Sequence, residues 1–190
     1  MNIIDLIKRE NFAEGPFKYS GGVVHKVDDA TAEAVAIGIA NASNSWALGA
    51  DGVKIICAFL RGESNFDPDS FCPNLEDAPG ADHVLKIGGK WPDAQSEAAH
   101  TDYGLCMVNG NGSYAGKGAI KESLDYLCAA IIRNLGWAAV NNYPPEVAYE
   151  AYNQGRTGAA NLYKSGGVAA CTYGHIVAER IAEYVALDVI

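Results

Sequence analysis

Ile120, Leu124, Leu127, Ile131 and Leu135 recur at intervals of three or four residues. That spacing lines one face of an α-helix and no face of a β-strand. It predicts a helix over 119–135 that must bury its stripe, with Gly136 as its C-terminal stop. A second stripe, Val53, Ile56, Cys57 and Leu60, predicts a helix opened by Asp51 and ended before Pro68. Weaker patterns predict four more helices. One covers 3–10 with Ile3, Ile4 and Ile7; another is capped by Asp28 or Asp29 and runs to about residue 42. A third enters through Pro144 and Pro145 and runs through Asn153, and the last covers roughly 168–187. Gly155, Gly158, Gly166 and Gly167 are expected to break the chain between these two.

The remainder is not helical in pattern. Residues 15–27 read as loop or short strand. From Asp67 to Thr101 proline, glycine, Asp and Asn are frequent and the periodicity is lost. Within that stretch Val84 to Trp91 predicts a small hairpin turning at Gly88-Gly89. A segment of this length inside a compact domain is usually functional or carries structure of its own. No repeat or linker divides the chain, so residues 1–190 read as one domain. The expected fold class is α+β, predominantly α-helical, with a small β-hairpin or loop insertion.

Composition narrows the function classes. With 49% hydrophobic and 19% charged residues the chain is globular rather than disordered. The net charge is −9 and the 14 Lys and Arg are scattered, which argues against a nucleic-acid partner. No run is long enough to predict a membrane span. Cys57, Cys72, Cys106, Cys128 and Cys171 offer no zinc spacing, and their odd number leaves at least one free thiol. Cys57 and Cys128 fall in apolar helical patterns; a Cys72–Cys171 pair stays open. His25, His83, His100 and His175 share no metal-ligand spacing, so neither a metal nor a cofactor is expected.

Glu63 is the candidate catalytic residue. It follows Leu60 by three positions and Ile56 by seven, so it continues the apolar face of its helix. A carboxyl there is partly desolvated, which favours its protonated form. The negative end of the helix dipole pushes the same way. Both effects keep the acid protonated near neutral pH, as a general acid that protonates a glycosidic oxygen must be. The plainer alternative is a boundary Glu that reaches water.

Three strings bear on that choice: Gly62-Glu63-Ser64-Asn65-Phe66-Asp67-Pro68, Tyr103-Gly104-Leu105-Cys106-Met107-Val108-Asn109, and Ala151-Tyr152-Asn153-Gln154-Gly155. In this order they resemble the family-23 lytic transglycosylase domain, which is related to goose-type lysozyme. The resemblance covers about residues 50–185, with 69–101 as an insertion, a lid or an extra wall of the groove. It implies a lysozyme-like fold and peptidoglycan glycan strands as the partner. It also implies Glu63 as catalytic acid and later base, and Ser64 as a hydrogen bonder to the Glu or the sugar. Gly104 and Leu105 would form a backbone wall of the saccharide groove, with Met107 and Asn109 beside them as substrate contacts. Tyr152 would place its hydroxyl near Glu63 or substrate, and Asn153 would support the same corner. Without the resemblance, Tyr152 reads as a half-buried core residue and Asn153 as a helix C-cap.

The departures matter. Cys106 stands where the family has Met, and Met107 where it has Gln, which removes an amide hydrogen-bonding group. Trp91 and Tyr103 are candidates to stack on sugar rings or to pack locally. A hydrolase of this kind needs a second carboxylate to activate water. Goose-type enzymes carry Asp near the second motif; Asn109 ends it here, as in the transglycosylases. Asp102 and Glu97 are the candidate second carboxylates, with Asp67, Asp69 and Asp82 more distant. The favoured expectation is therefore a transglycosylase, with the hydrolase second. A structural phage or secretion protein that keeps the fold, and a saccharide-binding module, are the alternatives of another class. Residues 1–11 lack the pattern of a signal peptide. The corresponding expectation is a monomeric phage lysin, made in the host cytoplasm and acting on the cell wall.

Overall fold

The computed structural model describes residues 1–13, 22–82 and 88–190, with backbone only for 12 and 13. The described residues are predominantly helical, with seven α-helices and a small three-stranded antiparallel sheet. The helices are α1 (Ile3–Ala13), α2 (Asp29–Ser45), α3 (Gly52–Glu63), α4 (Ala94–Ala99), α5 (Ile120–Val140), α6 (Pro145–Gly166) and α7 (Thr172–Ala186). The strands are β1 (Phe71–Cys72), β2 (Asp102–Tyr103) and β3 (Val108–Asn109), in the order β1-β2-β3.

The stripes seen in the sequence form the core. Leu6 and Ile7 of α1, Val35 and Ile39 of α2, Ile56, Phe59 and Leu60 of α3, and Leu124, Leu127 and Ile131 of α5 are buried together. Val177 and Tyr184 of α7 complete the cluster. Removing this much apolar side chain from water is the main force that orients the helices. Asp28 caps α2 as expected, accepting from the Thr31 N–H at 2.7 Å.

Several boundaries differ. Gly136 does not stop α5, which runs four residues further to Val140. Leu135 and Ala138 are covered there, and that packing outweighs the propensity cost of about 1 kcal/mol for an internal glycine. Gly158 and Gly166 lie within α6 rather than breaking it; the break falls at Gly155, with φ 66° and ψ 164°. A 3₁₀ turn at Gly167–Ala170 then delays α7 to Thr172.

Val84 to Ile87, the first arm of the expected hairpin, lie outside the described residues, and Gly88 to Trp91 are not in a strand. Among the described residues β2 and β3 form a hairpin, built by Asp102 and the Tyr103–Asn109 string. Gly104 makes its turn, with φ +74°. A Cβ at Gly104 would lie 2.0 Å from the Tyr114 carbonyl oxygen, so glycine is required by backbone packing. The stretch 69–101 carries β1, a 3₁₀ turn at Leu75–Asp77 and α4. Val23 bridges Phe71, which ties the preceding loop to β1. All five cysteines are free, so the Cys72–Cys171 alternative falls.

Candidate active site

Glu63 is the last residue of α3. The chain leaves it through Asn65 and Phe66, both left-handed with φ 51° and 66°. This reversal drives the Phe66 ring fully into the core and leaves Glu63 facing a cavity. Asp67, buried, then anchors the crossing segment: it accepts from the His25 N–H at 2.6 Å and the Asp69 N–H at 2.9 Å. It belongs to the scaffold and not to the cavity.

The cavity measures about 250 Å³. Glu63, Asp102, Met107 and Asn109 line one part of it; Tyr126, Tyr152 and Asn153 line the rest. Three strings separated by some forty residues each thus meet at one place. A larger recess of about 480 Å³ lies between α2 and α5, walled by Ile37, Ile120 and Leu124. Its one acid, Asp125, is already held by Trp46 Nε1 at 2.7 Å and Lys121 Nζ at 2.6 Å. The smaller cavity is therefore the one with chemistry.

Burial pushes the Glu63 carboxyl up to about 7, well above the usual carboxylate range. The Tyr173 hydroxyl donates to Glu63 Oε1 and opposes that rise. The negative charge of Asp102 adds to it, and the Arg180 guanidinium lowers it. Tyr173 and Arg180 are seven residues apart on α7 and so share a face towards the acid. A carboxyl half-titrated near neutrality can both give and take a proton at modest cost.

Asp102 is the second acid of the cavity. Asn109 Nδ2 donates to its Oδ1 at 2.9 Å and Asn74 Nδ2 to its Oδ2 at 3.1 Å. Burial raises its pKa, while these two amides lower it. Glu97 is not beside it. Successive strand residues face opposite sides of a sheet, so pairing of Asp102 with Asn109 and Tyr103 with Val108 separates the two faces. Glu97 lines another recess with Phe71 and Tyr103, and it is no partner for Glu63. Trp91 stacks on His100, centroids 3.9 Å apart, and bonds the Pro73 carbonyl; neither it nor Tyr103 lines the acid's cavity.

Other expected contacts move as well. Ser64 is fully buried and its hydroxyl donates back to the Leu60 carbonyl at 3.4 Å, so it meets neither Glu63's carboxyl nor a sugar. The Leu105 side chain belongs to the core, and Gly104 serves the turn. Tyr152 does line the cavity, but its hydroxyl donates to the Cys106 carbonyl at 2.7 Å rather than to Glu63. Its ring meets Phe59 edge-on at 5.3 Å. Met107 lines the cavity with φ 48° and accepts weakly from Ser70 Oγ at 3.5 Å. Asn153 is exposed at the rim, its Oδ1 taken by Gln154 Nε2 at 2.7 Å.

Tyr173, Tyr126 and Arg180 were not anticipated. Tyr126 sits beside Leu127 on the solvent side of the α5 stripe, a place that polar periodicity marks but does not explain. Tyr173 lies 110 residues from Glu63 and has no local signature. Among the described residues no group of three His, Cys, Asp or Glu side chains is placed to hold a metal ion. Compared with known proteins, the chain matches no family model, no curated protein and no solved structure.

Proposed function

We propose that this chain is a peptidoglycan lytic transglycosylase that cleaves the β-1,4 bond between N-acetylmuramic acid and N-acetylglucosamine, with Glu63 as its acid and base. One observation carries the reading: a carboxyl with a pKa of about 7 faces the cavity where the three motif strings converge. A helical body with a small antiparallel sheet beside the acid is also what a lysozyme-like fold requires. In the proposed reaction Glu63 gives its proton to the oxygen leaving C1 of the muramyl residue. The 2-acetamido group of that sugar supports the developing positive charge. The Glu63 carboxylate then removes the proton from the muramyl 6-hydroxyl, whose oxygen bonds to C1 and closes a 1,6-anhydro ring. Glu63 ends protonated, and no water is consumed.

One observation favours a second reading, a muramidase that hydrolyses the same bond. Asp102 shares the cavity, and as a carboxylate it is the group that would take a proton from an attacking water. Both readings make peptidoglycan glycan strands the partner and place the action at the cell wall, as a monomeric phage lysin would act.

Mass spectrometry of soluble products from purified peptidoglycan decides between them. Anhydro-muropeptides from the wild type, and none from Glu63→Gln, are the expected result. Reducing-end products carrying ¹⁸O from labelled water would instead establish the hydrolase. No release by the wild type across several peptidoglycan types would overturn both and leave a structural or binding role.

A further inference from the structure

The first turn of α7 has an unusual cap. Helix N-termini leave their first N–H groups without intrahelical partners. The residue before α7, Cys171, supplies no side-chain cap. The acceptor comes from another helix: Glu150 on α6, only 3% exposed, takes the Gly174 N–H at 2.9 Å. A negative charge at this end of a helix is also favoured by its dipole. The contact is possible because α6 and α7 nearly touch. A Cβ at Gly174 would lie 1.9 Å from the Glu146 carbonyl oxygen, so no other residue allows this approach. Tyr173, whose hydroxyl reaches Glu63, is the residue immediately before Gly174.

We propose that Glu150 is a positioning residue for the active site: by holding the Gly174 N–H it fixes the first turn of α7 and so keeps the Tyr173 hydroxyl on Glu63. The assignment rests on Glu63 being the functional acid. It adds that the acid is set from behind by a second, buried carboxylate that never reaches the cavity. Among the residues lining that cavity, Tyr152 lies two positions beyond Glu150 on α6. One short segment therefore serves the site twice, from its cavity side and from its core side.

The sign of the effect separates this role from a simple charge effect. Deleting a nearby negative charge would by itself ease ionisation of a carboxyl and lower its pKa, never raise it. Releasing Tyr173 removes a donor that favours the carboxylate and raises it. The test is a ¹³C NMR titration of the Glu63 carboxyl in the full-length resting protein. Tyr173→Phe and Glu150→Ala should each raise the Glu63 midpoint by at least about half a unit. The double variant should titrate like either single one, because both act through one hydrogen bond. Glu150→Gln keeps an amide oxygen for the Gly174 N–H, and should titrate at or slightly below the wild type. If Glu150→Ala does not fold, Glu150→Asp retracts the acceptor by one methylene while keeping its charge, and should shift in the same upward direction. An unshifted or lowered midpoint in the alanine or aspartate variant, or additive shifts in the double, would overturn the assignment. The titration reads the resting protein, so its outcome stands even if peptidoglycan proves not to be the substrate.

Discussion

Asn109 donates from Nδ2 to Asp102 Oδ1 at 2.9 Å, across directly paired positions of β2 and β3. The amide that ends the Tyr103–Asn109 string is thus the group that holds the neighbouring carboxylate in place. With Asn74 on its other oxygen, Asp102 is oriented by two amides and has no cationic partner in that contact set. Under the transglycosylase reading, Asp102→Asn should keep product formation within a few-fold. It should also move the alkaline limb of activity to lower pH, because a like charge beside Glu63 has been removed. A loss of about 100-fold or more in kcat, the scale of a missing general base, would instead assign Asp102 to water activation. Initial rates against pH for the two proteins decide this.

The raised pKa of Glu63 makes stability depend on pH in a definite direction. Its folded value of about 7 exceeds the ordinary glutamate value of 4.5, so the folded state binds the proton more tightly than the unfolded state. That contribution is complete below about pH 4.5 and is lost as pH rises through 7. The span corresponds to about 3 kcal/mol. Glu63→Gln, which cannot ionise, should match the wild type near pH 4 and exceed its stability by up to about 3 kcal/mol at pH 8. Urea unfolding at the two pH values measures the difference.

Gly104→Ala should be severe although Gly104 does not line the Glu63 cavity. The residue has φ +74°, and the new methyl would meet the Tyr114 carbonyl oxygen at 2.0 Å. Left-handed strain and overpacking together should cost about 2–4 kcal/mol. Denaturant midpoints should fall by that amount, and the change should spread to Asp102 and Asn109 on the strands the turn joins.

Glu10 of α1 is 2% exposed and meets Arg61 Nε of α3 at 2.6 Å and Arg9 at 2.6 Å. Glu183 of α7 lies on the same two arginines, at 2.6 and 3.6 Å. Glu10→Ala leaves two guanidinium groups gathered without their innermost carboxylate. Breaking a buried pair from one side should cost about 3 kcal/mol. Thermal unfolding of Glu10→Ala beside Glu183→Ala should show the larger loss for Glu10, since Glu183 is partly exposed.

The helices were legible because each carries its stripe locally. Leu124, Leu127 and Ile131 are buried where their spacing places them, and Asp28 caps the helix it precedes. Glu63 was legible for the same reason, since three residues from Leu60 must mean the same face. Boundaries failed where packing overruled a single glycine, as at Gly136, or where glycines that permit a break were simply carried along, as at Gly158.

What the sequence by itself determined is everything that depends on neighbours within a turn or two. It placed the stripes, the end of the second helix before Pro68, and Glu63 on that helix's apolar face. Only the tertiary structure decided which side chains meet there. Ser64 turned inward to Leu60, and Tyr152 spent its hydroxyl on Cys106. Asp102 faced the acid, because strand pairing sends alternate residues to opposite faces, and Glu97 of α4 lay on the other side with Tyr103. Tyr173 arrived from 110 residues away. Helical and strand periodicities repeat over a few residues, so they encode which face a side chain takes. They carry no information about which distant face it will meet; that is settled by how the buried stripes pack against one another.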